Sequence, residues 1–250
     1  MSDLITESGR RIAYRHEPGA GPVVVFCGGY GSDMLGTKAM DLQSWARVTG
    51  RAFLRFDYSG HGQSSGNFRD GTITDWAQDA VAVISAVTSG PLILVGSSMG
   101  GWIALLVARA MPERIAAFVG VAAAPDFTED LMWMSFSDAE KDQLKAIGWI
   151  GRPSPYSPQP EVITMKLIDD GARNLVLRKP LDLPFPVRLL HGSADSDVPV
   201  SVARRLLDHA SGPDMRLTIV KDADHRFSSP RCLAMISETL NDLLKGSQNA

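Results

Sequence analysis

Apolar runs of strand length alternate with segments of helical period along most of this chain, an order that fits a mostly parallel sheet covered by helices on both faces. The strand candidates are residues 22–27, 52–56, 91–95, 115–121, 187–190 and 216–220. Between the first two lie residues 37–50, with Met40, Trp45 and Val48 read as one buried stripe and Gly50 as the stop. Residues 75–89 put Trp76, Ala80, Val81, Ile84 and Val87 on one helical face before Gly90 and Pro91 end it. Residues 100–111 are apolar nearly all round, as suits a helix buried beside a central sheet, and Pro112 closes them. Residues 201–210 and 230–244 supply two more helices. In the last, Leu233, Ile236, Leu240 and Leu244 line a face, with Ser229 as N-cap and Pro230 at the first helical position. Residues 4–14 read as a hairpin turning at Glu7, Ser8 and Gly9, the antiparallel edge of the sheet.

The rhythm breaks over residues 125–186. A core built from 1–124 and 187–250 is therefore expected, with 125–186 as a helical cap insertion; the alternative is an extra pair of helices on the sheet's edge. Ser137 and Glu140 have capping-box spacing and open a helix to about Ile147. Leu131, Met132, Trp133, Met134 and Phe136 precede it. Pro153, Pro155, Pro158 and Pro160 mark an extended stretch, and residues 161–171 read as a second short helix. Residues 246–250 read as a frayed tail.

Composition narrows the function classes. At 250 residues one core is the default, and 44% hydrophobic with 21% charged residues is ordinary for a soluble globular chain. A net charge of −3 offers no global basic field for a phosphate backbone, which disfavours nucleic acid as a partner. Cys27 and Cys232 are too few for a disulfide framework or a four-thiolate metal site, and are expected buried and reduced. No apolar stretch reaches the roughly 20 residues of a membrane span. The first residues carry neither a secretory nor an organellar signal, so the cytoplasm is the expected location.

Gly96-Ser97-Ser98-Met99-Gly100 directly follows the candidate strand at 91–95 and opens the helix at 100–111. That is the strand-to-helix elbow in which flanking glycines let the backbone turn sharply and stand Ser98 Oγ at the sheet's edge. The Met99 N–H then points from a helix N-terminus to where an oxyanion forms. A serine hydroxyl needs a base. Among the five histidines, His16 lies in the edge hairpin, His61 in a glycine turn, His191 at a strand end and His209 in mid-helix. His225 follows the strand at 216–220 and precedes the last helix, on the Ser98 edge, and is the expected base. The acid lies in His191-Gly192-Ser193-Ala194-Asp195-Ser196-Asp197-Val198-Pro199, between Ser98 and His225 in the order Ser, acid, His. Asp195 is the expected acid and Asp197 the alternative; whichever is not used is expected to cap the next helix. Gly28-Gly29-Tyr30-Gly31 follows the strand at 22–27, with Tyr30 N–H as second oxyanion donor and Gly29 letting the chain pass close to Ser98. Residues 56–64 close another strand with a glycine turn and are expected to shape the pocket floor. Leu131, Trp133, Met134 and Phe136 are expected to line an apolar acyl pocket, plain packing being the alternative. No phosphate loop, dinucleotide fingerprint or His-Glu-x-x-His is present, and neither a metal nor a cofactor is expected.

Ser98, Asp195 and His225 in this order resemble the α/β-hydrolase superfamily. Further phrases resemble its palmitoyl-protein thioesterase branch. They are residues 29–39, Arg55-Phe56-Asp57-Tyr58-Ser59-Gly60, residues 94–102, Arg188-Leu189-Leu190-His191-Gly192 and Asp224-His225-Arg226. The likeness runs from about Val23 to Leu244 and fades within the insert. It implies Ser98 as nucleophile, Asp195 as acid, His225 as base, and cleavage of carboxyl esters or thioesters, S-acyl proteins and acyl glucuronides included. The partner is then a small-molecule or acyl-protein substrate. Two departures stand out: the start reads as one without an organelle-type leader, as expected of a bacterial relative, and the cap differs where substrate choice would be made; in addition, Gly28-Gly29 stands where many superfamily members carry His-Gly.

Overall fold

The computed structural model describes residues 2–154 and 157–246. It opens with β1 (Ser2–Ile5), β2 (Arg11–Glu17), β3 (Ala20–Cys27), α1 (Thr37–Thr49), β4 (Arg51–Phe56) and α2 (Ile73–Val87). It continues with β5 (Leu92–Ser97), α3 (Met99–Ala110), β6 (Ile115–Val121), α4 (Asp138–Ile147), β7 (Trp149–Ser154), β8 (Ser157–Thr164) and α5 (Met165–Arg173). It closes with β9 (Leu181–Asp182), β10 (Val187–Gly192), α6 (Val200–His209), β11 (Ala210–Ser211), β12 (Met215–Val220) and α7 (Pro230–Gly246).

Eight strands form the main sheet in the order β1-β2-β4-β3-β5-β6-β10-β12. The pairs β1–β2 and β2–β4 are antiparallel and the others parallel, so the N-terminal hairpin is the antiparallel edge. The strand pleat sorts side chains between two apolar layers. Val23, Val25 and Cys27 of β3 join Leu94 and the buried faces of α2 and α3. Val24 and Phe26 join Val95, α1 and α7 on the other side. Each such side chain contributes about 1.5–3 kcal/mol when fully buried. Helix α3 is buried from Met99 to Ala108, which explains a sequence apolar on every face.

The chain leaves β3 for β4 on one side and returns to β5 on the other. β3 and β5 are therefore neighbours whose following loops diverge, and the crevice between those loops is where open α/β sheets place their sites. Cys27 pairs with Gly96 in the parallel register, so the loop 28–36 and the turn at Ser98 leave the sheet at nearly one level.

Three expectations are corrected. In α1, Met40 is 45% and Val48 86% exposed; the buried residues are Ala39, Leu42, Gln43 and Ala46, with Trp45 half-buried. Small side chains bring this helix close to the sheet, and Gln43 is drawn in by Arg55, whose Nη2 donates to its Oε1. The insert is not purely helical. β7 and β8 form an antiparallel hairpin in which Trp149 pairs with Thr164 and Gly151 with Val162. Residues 161–164 accordingly belong to a strand, as their β-branched run Val162-Ile163-Thr164 favours, and helix α5 starts only at Met165 under a Thr164 cap (Leu167 N–H to Oγ1, 3.2 Å). Third, the N-cap position of α6 is Pro199 without a side-chain cap, so neither aspartate takes it.

Other elements follow the sequence reading. Ser137 and Glu140 form a complete capping box at α4, and Ser229 Oγ accepts the Cys232 N–H at the start of α7. Phe136, Leu144, Ile150, Ile163 and Ile168 give the insert a small core of its own. Asp126 joins the beginning of the insert to its later part: its carboxylate accepts Val176 N–H (2.8 Å), Leu177 N–H (2.9 Å) and Arg178 Nη1 (3.3 Å). Pro155 and residues 247–250, part of the expected extended stretch and tail, lie outside the described residues. No helix among the described residues is long and apolar enough to cross a membrane.

Candidate active site

Ser98 occupies the first residue position after β5 with φ 55° and ψ −122°, a left-handed conformation that costs a non-glycine residue of order 1–3 kcal/mol. The strain is held from three sides. Ser98 N–H donates to Val121 O (3.0 Å), and Ser98 O accepts from Gly101 N–H (2.9 Å) and Ala124 N–H (3.0 Å). The flanking glycines are required by close approach. A Cβ on Gly96 would stand 2.6 Å from Gly101 Cα, and one on Gly100 would overlap the Cys27 carbonyl. Ser98 is left partly exposed between buried neighbours.

His225 comes from the loop between β12 and α7, and its Nε2 lies 3.1 Å from Ser98 Oγ. Its Nδ1 lies 2.9 Å from Asp195 Oδ2, in the loop after β10. A carboxylate only accepts, so Nδ1 carries the proton and Nε2 is free to accept from the serine hydroxyl. The Asp195 side chain has no solvent exposure. Its Oδ1 accepts Asp197 N–H (3.0 Å) and Val198 N–H (2.8 Å). Burial raises the Asp195 carboxyl, but hydrogen bonds from His191, His225 and the Val198 N–H outweigh it and hold the group well below the usual carboxylate range. Three residues 30 and 127 positions apart are thus in hydrogen-bonding reach, in the arrangement that moves a proton off a serine.

The glycine loop lies against the serine: a Cβ on Gly29 would stand 3.4 Å from Ser98 Cβ. Neither Tyr30 N–H nor Met99 N–H donates to an acceptor among the described residues, so both remain available to an oxyanion. The Tyr30 ring packs edge-on against Phe68, Trp76 and Phe127, and its hydroxyl donates to Val162 O of β8 (3.3 Å), joining the loop to the insert. Asp57 ties the same loop to the glycine turn after β4, accepting Met34 N–H (2.6 Å) and Gln63 N–H (2.8 Å).

The expected acyl-pocket residues differ in burial and in what they pack on. Met134 is 73% exposed, and Phe136 is 4% exposed inside the insert's core, where plain packing accounts for it. Trp133 packs on that small core, whereas Leu131 packs on the main one. Two residues missed as site residues are His191 and His61. His191, fully buried, places Nε2 2.8 Å from Val198 O and 3.2 Å from Asp195 Oδ2. Its spacing four residues before Asp195, at a strand end, was the available signal. His61 binds the glycine loop through Gly31 N–H. Among the described residues no group of three or more His, Cys, Asp or Glu is placed to hold a metal ion.

A model of the alpha/beta hydrolase family matches residues 24–231. The human mitochondrial palmitoyl-protein thioesterase ABHD10 is 34% identical over 234 residues, covering 93% of this chain and 76% of the human one. The solved structure of alpha/beta hydrolase domain-containing protein 10 from mouse superposes with a TM-score of 0.90 at 32% identity, covering 98% of both chains. A putative hydrolase from Agrobacterium vitis S4 superposes with a TM-score of 0.93 at 39% identity, covering 98% of this chain and 97% of its own.

Proposed function

The chain belongs to the alpha/beta hydrolase family, and from that premise we propose that it cleaves carboxyl esters or acyl thioesters through an acyl-enzyme on Ser98. The observation that carries the reading is the continuous hydrogen-bond line from Ser98 Oγ through the His225 ring to Asp195 Oδ2.

As Ser98 Oγ attacks the carbonyl carbon, His225 Nε2 takes its proton, and Met99 and Tyr30 N–H receive the negative charge that develops on the carbonyl oxygen. Asp195 holds the imidazole in the Nδ1–H tautomer and stabilises the imidazolium; held low, it leaves the proton on His225. His225 then protonates the departing alcohol or thiol as the bond to carbon breaks. A water repeats the cycle, giving its proton to His225 and its oxygen to the acyl carbon, and Ser98 leaves with the proton restored. One oxyanion donor in comparable sites accounts for about 2.7–4 kcal/mol of the barrier.

Thioester cleavage is the preferred chemistry within this reading, because the similar human protein is a palmitoyl-protein thioesterase. We read residues 125–186 as a cap over the site, supported by the Tyr30 hydroxyl bond to Val162 O. A panel of acetyl to palmitoyl thioesters, aryl esters, acyl glucuronides and peptides, with Ser98→Ala as blank, tests both points. Turnover of thioesters or esters that vanishes in Ser98→Ala is expected. Turnover confined to peptides overturns the reading in favour of a peptidase, and none on any substrate overturns it in favour of a carbon–carbon bond hydrolase or a non-catalytic binder.

A further inference from the structure

The turn Gly29–Ser32 is closed by Ser32 N–H on Gly29 O (3.2 Å) and by Ser32 Oγ on the same oxygen (2.8 Å). Gly31 has φ 67° while Tyr30 is not among the residues of positive φ, the pattern of a type II turn. A type I turn differs by a flip of the central peptide, the one between Tyr30 and Gly31, and a glycine at the third position accepts either form. Something outside the turn must choose. The Gly31 N–H donates to His61 Nε2 at 3.2 Å, and a flipped peptide would point that N–H elsewhere.

The His61 ring is held so that it can only accept there. Its Nδ1 lies 3.2 Å from Ser59 O, and a carbonyl only accepts, so the proton is on Nδ1 and Nε2 is bare. The ring is 3% exposed and meets Tyr58, Phe68 and Trp76 edge-on at 5.5, 5.0 and 5.1 Å. A charged group that acts on the ring is Asp79 of α2, itself engaged by Arg10 Nε (2.7 Å) and Ser59 N–H (2.9 Å). The other titratable groups are the phenols of Tyr58, which touches the ring, and of Tyr30, which packs on Phe68 and Trp76. Burial pushes the imidazole below the ordinary histidine value, against the pull of Ser59 O and Asp79.

We infer that His61 is a positioning residue for the oxyanion loop: as a permanent acceptor for the Gly31 N–H, it pins the Gly29–Ser32 turn, whose Gly29 lies against Ser98, and with it the Tyr30 N–H one residue before the anchor. The inference rests on the reading of Tyr30 N–H as an oxyanion donor. It acts through the loop and touches no substrate.

The test compares wild type, His61→Leu, His61→Gln and Ser98→Ala on one short-chain thioester, with melting temperatures. Leucine fills the space without an acceptor, whereas glutamine offers a carbonyl oxygen. The expected result is a fall in kcat of about 10- to 100-fold for His61→Leu with KM little changed, and recovery of most of it by His61→Gln. A His61→Leu kcat within about twofold of wild type, or a His61→Gln protein that falls as far as His61→Leu, overturns the inference. Full activity of Ser98→Ala instead overturns the serine mechanism, so the two failures are distinct. On the wild-type protein, 15N-histidine NMR is expected to show His61 protonated at Nδ1 and bare at Nε2 at neutral pH. The opposite tautomer or an imidazolium overturns the inference whatever the variants do.

Discussion

His191 and His225 address the same carboxylate oxygen: Asp195 Oδ2 lies 3.2 Å from His191 Nε2 and 2.9 Å from His225 Nδ1. Val198 O, 2.8 Å away, requires His191 Nε2 to carry a proton, so Oδ2 accepts from two imidazoles while Oδ1 accepts from two backbone amides. A carboxylate with all its lone pairs engaged is fixed in place and poorly basic, which suits a group that must orient His225 without taking its proton.

The two aspartates of this loop are therefore not interchangeable. Asp195→Asn is expected to lower kcat by about 10³- to 10⁴-fold, because an amide can present its NH2 to Nδ1 and favour the wrong tautomer. Asp197 contributes its backbone N–H to Asp195, and Asp197→Asn keeps that bond. Steady-state kinetics on a single ester check both; equal losses in the two variants would contradict the assignment of the acid.

The low-lying Asp195 carboxyl also shapes acid stability. Its folded-state pKa is depressed below the unfolded value of about 3.9, so its contribution is complete above that value and is lost as pH falls toward the folded one. Melting temperature measured from pH 7 down to pH 2 should decline more steeply below about pH 4 in wild type than in Asp195→Asn. Parallel curves would show that the carboxylate is not stabilised by folding.

At the elbow, the space around the glycines sets a steric limit. Gly100→Ala would push a methyl into the Cys27 carbonyl, and Gly96→Ala would push one against Gly101 Cα, with backbone on both sides unable to yield cheaply. Both variants are expected to lose activity at least about 100-fold, since a displacement of about 1 Å at a reacting centre has that effect. Gly151→Ala, whose Cβ would meet Pro160 Cβ at an ordinary 3.5 Å, serves as the tolerated control in the same assay.

Asp126 tests what joins the two ends of the insert. Truncation in Asp126→Ala leaves two buried amides without an acceptor and removes a partner of Arg178, at an expected loss of about 2–4 kcal/mol in urea unfolding. Asp126→Asn is expected to lose less, because it retains an acceptor and tolerates the observed φ of 58°. A loss below about 1 kcal/mol for the alanine variant would mean that those amides find another acceptor.

The parts legible in the sequence were those fixed by local pattern. Apolar runs located the strands of the main sheet, and the elbow around Ser98 was readable because two glycines and a serine sit at a strand-to-helix junction. What stayed hidden depended on distant partners. Gln43 is buried because Arg55, twelve residues away, reaches it, whereas Met40 and Val48 on the same helix face solvent. The hairpin β7–β8 was masked by prolines that read as irregular chain but are compatible with a two-stranded ribbon. His61 carries no motif of its own as a site residue, and its partner, the Gly31 N–H, is brought to it by the fold from 30 residues away; for His191 the spacing to Asp195 was a local signal, but its direction toward Oδ2 and Val198 O shows only in the folded loop.

The central claim, that Ser98 is the group activated by His225, is tested most directly by incubating the protein with a fluorophosphonate and mapping the adduct by peptide mass spectrometry. The account predicts one phosphonyl group on Ser98, absent from Ser98→Ala and strongly slowed in His225→Ala. An unmodified wild-type protein, or an adduct on another residue with Ser98 untouched, would contradict it.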